Sequence, residues 1–167
     1  MKKAVLLLLL VALASFNLSA YTGSEVMIQG FNWTSANGSW YTTVQSKAAD
    51  LAACKIDMIW LPPPSDAASD QGYLPRELYL LNTKYGTQTQ LKSMIAALHT
   101  QNIKAIADIV INHRVGKYNW ADFVNPAWDS SAVCKGDEWP GATGNYDSGD
   151  GYSAARDLDH STGTVQS

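Results

Sequence analysis

Residues 88–111, QTQLKSMIAALHTQNIKAIADIVI, place a helical pattern directly before an apolar strand pattern. The apolar side chains of the first half repeat at three- and four-residue spacing, which predicts an amphipathic helix over 88–101. They share one face: Leu91, Met94, Ile95 and Leu98. Thr87 is the expected N-cap, because its hydroxyl can accept from the first free amides of the helix. The nearly continuous apolar run 103–111 predicts a strand covered on both sides.

The same alternation occurs upstream. Apolar runs at 26–28 and 56–61 flank a helical pattern at 41–53, whose predicted buried face consists of Val44, Ala48, Leu51 and Ala52. Strands that alternate with helices indicate βαβ units and a parallel sheet. An open doubly wound sheet and a closed barrel both fit three strands. No Gly-rich dinucleotide turn follows the first strand, which disfavours a Rossmann domain.

The segment 115–155 has a different composition. It is rich in Gly, Asp, Ser, Asn and Trp and keeps no helical or strand period. Irregular segments of this length are uncommon unless they are functional or form a small subdomain. We interpret it as an insertion after the third strand.

The first twenty residues have the pattern of a secretory signal peptide. Lys2 and Lys3 precede the apolar run 4–14, and Ala20 is the expected cleavage residue. A membrane anchor is the alternative, but the run is shorter than the roughly 20 apolar residues that span a bilayer. We therefore expect a secreted protein, extracellular or periplasmic.

The net charge of −3 comes without any basic stripe, which argues against nucleic acid or an anionic membrane as partner. Export would permit a disulfide between Cys54 and Cys134. A buried free Cys54, with Cys134 paired elsewhere or not at all, is at least as compatible with their positions. No metal-ligand spacing joins the two cysteines.

Polar side chains follow the predicted strands. In parallel barrels the active site is built at the carboxyl ends of the strands. Tyr73, Asn112 and His113 come after the second and third strands, and ring-stacking and hydrogen-bonding side chains of this kind suit a sugar. Each alone is more often structural: a packed tyrosine, a capping asparagine or a hydrogen-bonded histidine.

Together these residues belong to a series of ordered motifs. The string 108–113, DIVINH, resembles the first signature of the α-amylase family of glycoside hydrolases. Further segments are similar to plant-type α-amylases and their bacterial relatives: QGFNW at 29–33, PPPS at 62–65, GYLP at 72–75, KYGT at 84–87 and RDLDH at 156–160. The resemblance runs from about Val26 to the end of the chain.

The resemblance implies an α/β fold, the first three βα units of a (β/α)8 TIM barrel. Residues 21–114 would belong to the barrel, 115–155 would form an inserted calcium-binding domain, and 156–167 would return toward the barrel. A barrel of this class needs about 250 residues. The chain would then carry three of eight strands and end before the fourth.

The resemblance also assigns roles. His113 would bond the glucose beside the scissile bond, Tyr73 would stack on that glucose, and Ser65 would touch substrate. Asp108 would be a buried partner of an arginine on the next strand and not a catalytic acid.

A structural calcium would be held by Asn112, Asp157 and, as in plant-type members, Asp147. All three offer side-chain oxygen, the donor that calcium prefers. Asp and Gly clusters are also ordinary loop composition, so the residues alone favour calcium weakly.

The implied activity is retaining endo-hydrolysis of α-1,4-glucosidic bonds in starch or glycogen by a full-length monomer. The nucleophile and the acid/base of the family lie on its fourth and fifth strands, beyond Ser167, so no catalytic residue is assigned here. We expect these 167 residues alone to be inactive. The alternatives are a non-catalytic product with at most weak sugar binding and a transglycosylase of the same superfamily.

Overall fold

The computed structural model describes residues 23–117, 122–136, 141–147 and 155–167. The predicted signal peptide 1–20 lies outside these residues, as do parts of the predicted insert. The described strands and helices are, in chain order, β1 Met27–Gln29, α1 Trp40–Ser46, α2 Ala48–Ala53, β2 Met58–Leu61, β3 Asp66–Ala67, β4 Pro75–Glu77, α3 Gln88–Thr100, β5 Lys104–Ala107, β6 His113–Arg114, β7 Arg156–Asp157 and α4 Gly163–Gln166.

Three parallel strands form the main sheet, in the order β1-β2-β5. Ile59 lies at its centre, opposite Ile28 on one side and Ala105 on the other. Strands that run in the same direction with helices between them are the βαβ units expected from the sequence. This is the arrangement of the first βα units of a (β/α)8 barrel.

One hydrophobic core lies between this sheet and its helices. Its fully buried members are Tyr41, Ile59, Tyr85, Met94, Leu98 and Ile103. On the helices, Val44, Ala48 and Leu91 are also buried, while Leu51, Ala52 and Ile95 are half-buried. The predicted apolar faces of both helical patterns therefore point toward the core.

The predicted cap of α3 is confirmed. The Thr87 hydroxyl accepts from the Gln90 amide, and the Gln90 side chain accepts from the Thr87 amide. This reciprocal capping box satisfies two amides that the helix itself leaves without partners. It fixes the start of α3 close to where the sequence places it.

Two predicted elements have different bounds. The helix expected over 41–53 is divided at Lys47, which has φ −100° and ψ 0° and donates its amide to the Val44 carbonyl. This tighter turn separates α1 from α2. The strand expected over 103–111 is also shorter, because the last backbone bond that continues it joins the Asp108 amide to Leu61 and the chain then turns away.

Two burial predictions were wrong. The strand β5, in the run 103–111, is not covered on both sides: its two end residues are exposed and its two central residues are half-buried. It is an edge strand of the described sheet and pairs only with β2 there, as does β1, which is exposed along its length. Cys54 is exposed, because it caps the end of α2 before the turn at Lys55, whose φ is 62°. Cys134 is buried, and no disulfide joins it to Cys54.

The described part of the segment 115–155 forms a second small core together with the chain that follows it. Its buried apolar members are Phe123, Ala132, Val133, Ala142 and Leu158. β6 and β7 pair antiparallel at the base of this segment, with His113 opposite Asp157. Arg114 belongs to this pairing and is fully buried, and its guanidinium lies 4.9 Å from the centre of the Phe123 ring and 4.7 Å from that of Trp128.

Candidate functional site

Tyr73 and two residues that follow β5 meet at the carboxyl end of the parallel sheet. The Tyr73 hydroxyl donates to Asp108 Oδ2 at 3.0 Å. The Tyr73 carbonyl lies 2.8 Å from His113 Nε2. A carbonyl oxygen can only accept, so this imidazole nitrogen carries the hydrogen. The structure thus brings together Tyr73 and His113, which the sequence predicted as site residues, and adds Asp108.

The loop that carries Tyr73 is fixed by its own backbone. Gly72 has φ +96°, a conformation that side chains rarely adopt, and a Cβ there would lie 2.8 Å from Pro63. On the other side, the Leu74 amide donates to the Ser69 hydroxyl at 3.1 Å. Tyr73 therefore projects from a short, tightly bonded turn.

Two neighbouring phenols are kept neutral. Burial, followed by the hydrogen bond and the negative charge of Asp108, raises the pKa of Tyr73 to about 12. Burial also raises the pKa of Tyr85 to about 12, with smaller contributions from Tyr41 and Asp108. Both tyrosines are therefore neutral hydrogen-bond donors at physiological pH. The Tyr85 hydroxyl donates to the Gln71 carbonyl at 3.2 Å, which adds a further bond to the loop that carries Tyr73.

Ser65 lies on the other side of the same loop system. Its hydroxyl donates to the Leu78 carbonyl at 2.9 Å. Ser65 and Asp108 line one cavity of about 230 Å³, whose remaining walls are mainly proline and isoleucine side chains. The cavity lining includes neither Tyr73 nor His113, and Asp108 is the residue that it shares with their contacts.

Two of the three predicted calcium ligands are in contact. The Asn112 side chain donates from Nδ2 to Asp157 Oδ1 at 2.8 Å. The Leu158 amide also donates to the Asn112 carbonyl at 2.8 Å, so these neighbouring segments are held together by backbone as well. Rotating the Asn112 side-chain amide by half a turn would place its oxygen, instead of Nδ2, next to the Asp157 carboxylate. The pair therefore has the donor chemistry that calcium requires.

Asp147 is connected to this pair through a third segment. Its amide donates to the Lys135 carbonyl at 3.3 Å, and the neighbouring Cys134 donates to the Asp157 carbonyl at 3.0 Å. Asp147 and Asp157 thus flank the same stretch of chain. Within the described ranges, no three His, Cys, Asp or Glu side chains are grouped closely enough to hold a metal ion. Asn112 and Asp157 would supply part of a calcium shell of six to eight oxygens.

Asp159 is the carboxylate that sequence reasoning could most easily misread as catalytic. It is buried and accepts from the Ser161 hydroxyl and from the Asn145 amide, both at 2.5 Å. These bonds, the Ser161 hydroxyl first, lower the pKa of Asp159. Its oxygens hold the turn at 159–162, which is a structural use.

Sequence reasoning missed two features of the site. It named Asp108 but gave it no contact with Tyr73, and it gave no role to Arg114. Arg114 donates to the carbonyls of Arg76 at 3.0 Å and Val124 at 2.5 Å, which ties the chain beside His113 to two other segments. The only local signal was that Arg114 directly follows the DIVINH string.

Comparison with known proteins decides the family. Residues 14–132 match the family described as "Alpha amylase, catalytic domain". The chain belongs to the α-amylase family. No described helix is long and apolar enough to cross a membrane.

Plant α-amylases are among the most similar curated relatives. The chain is 40% identical to "Alpha-amylase 3, chloroplastic" of Arabidopsis thaliana over an alignment of 158 residues that covers 89% of this chain and 18% of that protein. It is 38% identical to "Probable alpha-amylase 2" of the same plant over 145 residues, 83% of this chain and 34% of that protein. The chain thus spans between about a fifth and a third of these relatives.

A solved structure supports the fold. The wild-type α-amylase I of Eisenia fetida superposes with a TM-score of 0.65 at 18% identity, over 85% of this chain and 33% of that one. At this identity the likeness concerns the fold alone. The parallel sheet and its helices therefore have the arrangement of an α-amylase barrel.

Proposed function

We propose that the whole protein is a secreted α-amylase that hydrolyses internal α-1,4-glucosidic bonds of starch or glycogen with retention of configuration. The observation that carries the proposal is the meeting of Tyr73, Asp108 and His113 at the carboxyl end of a parallel sheet. The family match and the plant relatives give the chemical class.

In this proposal the residues of this chain bind the sugar. Tyr73 offers an aromatic face to a glucose ring, and its neutral phenol donates to the Asp108 carboxylate. His113 lies beside it as a hydrogen-bonding group, and Ser65 contributes at the margin. A concave site with one apolar face and a few fixed polar groups is the usual form of a small-ligand site.

The bond cleavage would use two other carboxyl groups. Retention needs a nucleophile and an acid/base about 5–5.5 Å apart. We expect both from the family's fourth and fifth strands, which follow the three strands described here. Asp157 and Asp159 are not candidates, because the first bonds Asn112 and the second holds its own turn.

Calcium is the proposed structural ion. Asn112 and Asp157, with Asp147 and backbone carbonyls, would hold it between the insert and the chain that follows β5. The ion would supply a fixed positive charge that ties these segments together. The contact between Asn112 and Asp157 supports this placement.

The decisive experiment on the reaction is product analysis with the whole protein. Soluble starch is the substrate, and proton NMR within the first minutes follows the anomeric signal of the new reducing ends. The proposal expects α-anomers first and oligosaccharides of several lengths. Products longer than the substrate would indicate transglycosylation, and no products at all would indicate a non-catalytic sugar-binding protein; either outcome contradicts the proposal.

A further inference from the structure

Tyr73 is bonded to the chain that follows β5 through both its side chain and its backbone. Its hydroxyl donates to Asp108, 35 residues further along, and its carbonyl bonds to His113, 40 residues further along. The backbone of the turn is fixed separately by Gly72 and Ser69. With the backbone fixed, the remaining freedom of Tyr73 is rotation about its two side-chain torsions, and the hydroxyl contact removes it.

Asp108 is well placed to act as an anchor. Its amide donates to the Leu61 carbonyl at 3.2 Å, which roots it at the ends of both β2 and β5. Its side chain is half-buried, and the phenol takes Oδ2. A hydrogen bond to a charged acceptor is roughly twice as strong as one between neutral groups. The carboxylate therefore holds the ring from the carboxyl end of the parallel sheet.

We propose that Asp108 is a positioning residue that fixes the orientation of the Tyr73 ring through the phenol and thereby prepares the ring to stack on a glucan. The geometry of the pair stands alone, whereas its effect on sugar binding rests on the proposed function. The physical basis is pre-organisation, because a side chain that is ordered before binding loses less entropy when the ligand arrives. This use of the carboxylate is separate from the arginine partner that the family resemblance implies.

The first test reads the pair without any ligand. Tyrosines of the full chain are labelled with ¹³C at Cζ, and the Tyr73 signal, assigned from the Tyr73→Phe variant, is followed by NMR. In Asp108→Asn the pKa of Tyr73 should fall from about 12 part of the way toward the ordinary 10, since burial remains. Asp50→Asn is the matched control, because Asp50 is an exposed surface carboxylate paired with Lys47. An unchanged Tyr73 titration in Asp108→Asn would overturn the proposal.

A second measurement covers the case in which Asp108→Asn does not fold. In the unmodified chain, the Tyr73 hydroxyl proton should resonate further downfield than that of Tyr41, because a hydrogen bond to a carboxylate is shorter and stronger than one to a neutral hydroxyl. Tyr41 is the internal reference, because its hydroxyl pairs with Thr83 at 3.2 Å and not with a carboxylate. Equal chemical shifts of the two hydroxyl protons would contradict the pairing.

The third test asks whether the pair serves binding. Affinity for maltotetraose is measured for Asp108→Ala, Tyr73→Phe and the double variant. Each single change should weaken binding roughly fivefold to tenfold, the value of about one hydrogen bond. The double variant should lose no more than either single one, because both remove the same bond. Losses that multiply would show that Asp108 acts independently of Tyr73 and would overturn the positioning role.

The two hypotheses fail differently. If the unmodified chain does not bind maltotetraose but the Tyr73 titration responds to Asp108, the proposed function is at fault and the pair stands. If the chain binds maltotetraose and Asp108→Ala has no effect on affinity, the positioning role is wrong.

Discussion

Gly72 and Tyr73 are neighbours with opposite requirements. Gly72 must have no side chain, because φ is +96° and a Cβ would meet Pro63 at 2.8 Å. Tyr73 must have a large one that reaches Asp108. The sequence shows both residues in a Gly- and Pro-flanked turn, but the partner of the phenol is 35 residues away and has no local signature. The identity of a site residue could thus be predicted, whereas its contact could not.

Replacing Gly72 should test the turn. Gly72→Ala should destabilise the protein by more than the about 1–2 kcal/mol that a left-handed conformation costs, because Pro63 must also move. Gly38→Ala is the matched control, since its φ is +83° and nothing lies within 4 Å of the added methyl. The free energy of unfolding in urea measures both variants. Equal losses would show that the Pro63 contact is unimportant.

Tyr85 should contribute to the loss of folding stability at alkaline pH. Its pKa is raised to about 12, so the native state keeps a proton that the unfolded state loses near pH 10. The corresponding stability is complete below pH 10 and is lost as the pH rises toward 12. Tyr85→Phe should flatten this loss and cost about 1 kcal/mol at neutral pH for the bond to Gln71. Melting temperatures measured from pH 8 to 12 test this prediction, with Tyr79→Phe, at an exposed position, as the control. If stability falls equally steeply with rising pH in Tyr85→Phe and in the unmodified protein, the prediction is wrong.

At the scale of elements, the sequence predicted best where local chemistry decides. The start of α3 is set by two residues close in sequence, Thr87 and Gln90, which form the capping box. The break at Lys47 has no comparable residue signal, since no Gly or Pro stands there. The end of β5 depends on where Leu61 of the neighbouring strand ends. Such bounds are set by tertiary pairing and not by propensity.

The cap provides a direct test of this distinction. Thr87→Ala should lower the free energy of unfolding by about 1 kcal/mol, because the Gln90 amide loses its acceptor. Thr89→Ala, an exposed position in the first turn of α3, should have little effect. Urea denaturation followed by circular dichroism compares the two. A loss at Thr89 equal to that at Thr87 would mean that the capping box is not what stabilises the start of α3.

At the scale of the whole molecule, β6 and β7 pair the residues that flank the predicted insert 115–155. This pairing brings Asn112 against Asp157, 45 residues apart, and so builds part of the proposed calcium site. Composition predicted an irregular insertion but did not predict the pairing of β6 with β7. A pairing between residues so far apart in sequence depends on the folded core, which includes Phe123, Val133 and Leu158. The calcium ligands could be named from the family resemblance alone.

Calcium should stabilise the molecule through these residues. An ion bound only by the folded state adds about 2.7 kcal/mol at a hundredfold excess over its dissociation constant. For the unmodified protein we expect the melting temperature to rise with calcium by about 2–4 °C per kcal/mol. Asp157→Ala should reduce this rise, and the exposed Asp50→Ala should not. Coinciding calcium titrations of Asp157→Ala and the unmodified protein would exclude Asp157 as a ligand.

The central claim is that Tyr73 forms part of a glucan site. Isothermal titration with maltotetraose tests it most directly, on the unmodified chain, on Tyr73→Ala and on Tyr79→Ala, a tyrosine of the same region whose side chain is exposed. The account predicts measurable binding that Tyr73→Ala weakens at least tenfold, about 1.4 kcal/mol, and that Tyr79→Ala leaves unchanged. Equal affinities of the unmodified chain and Tyr73→Ala, with both folded by circular dichroism, would contradict it.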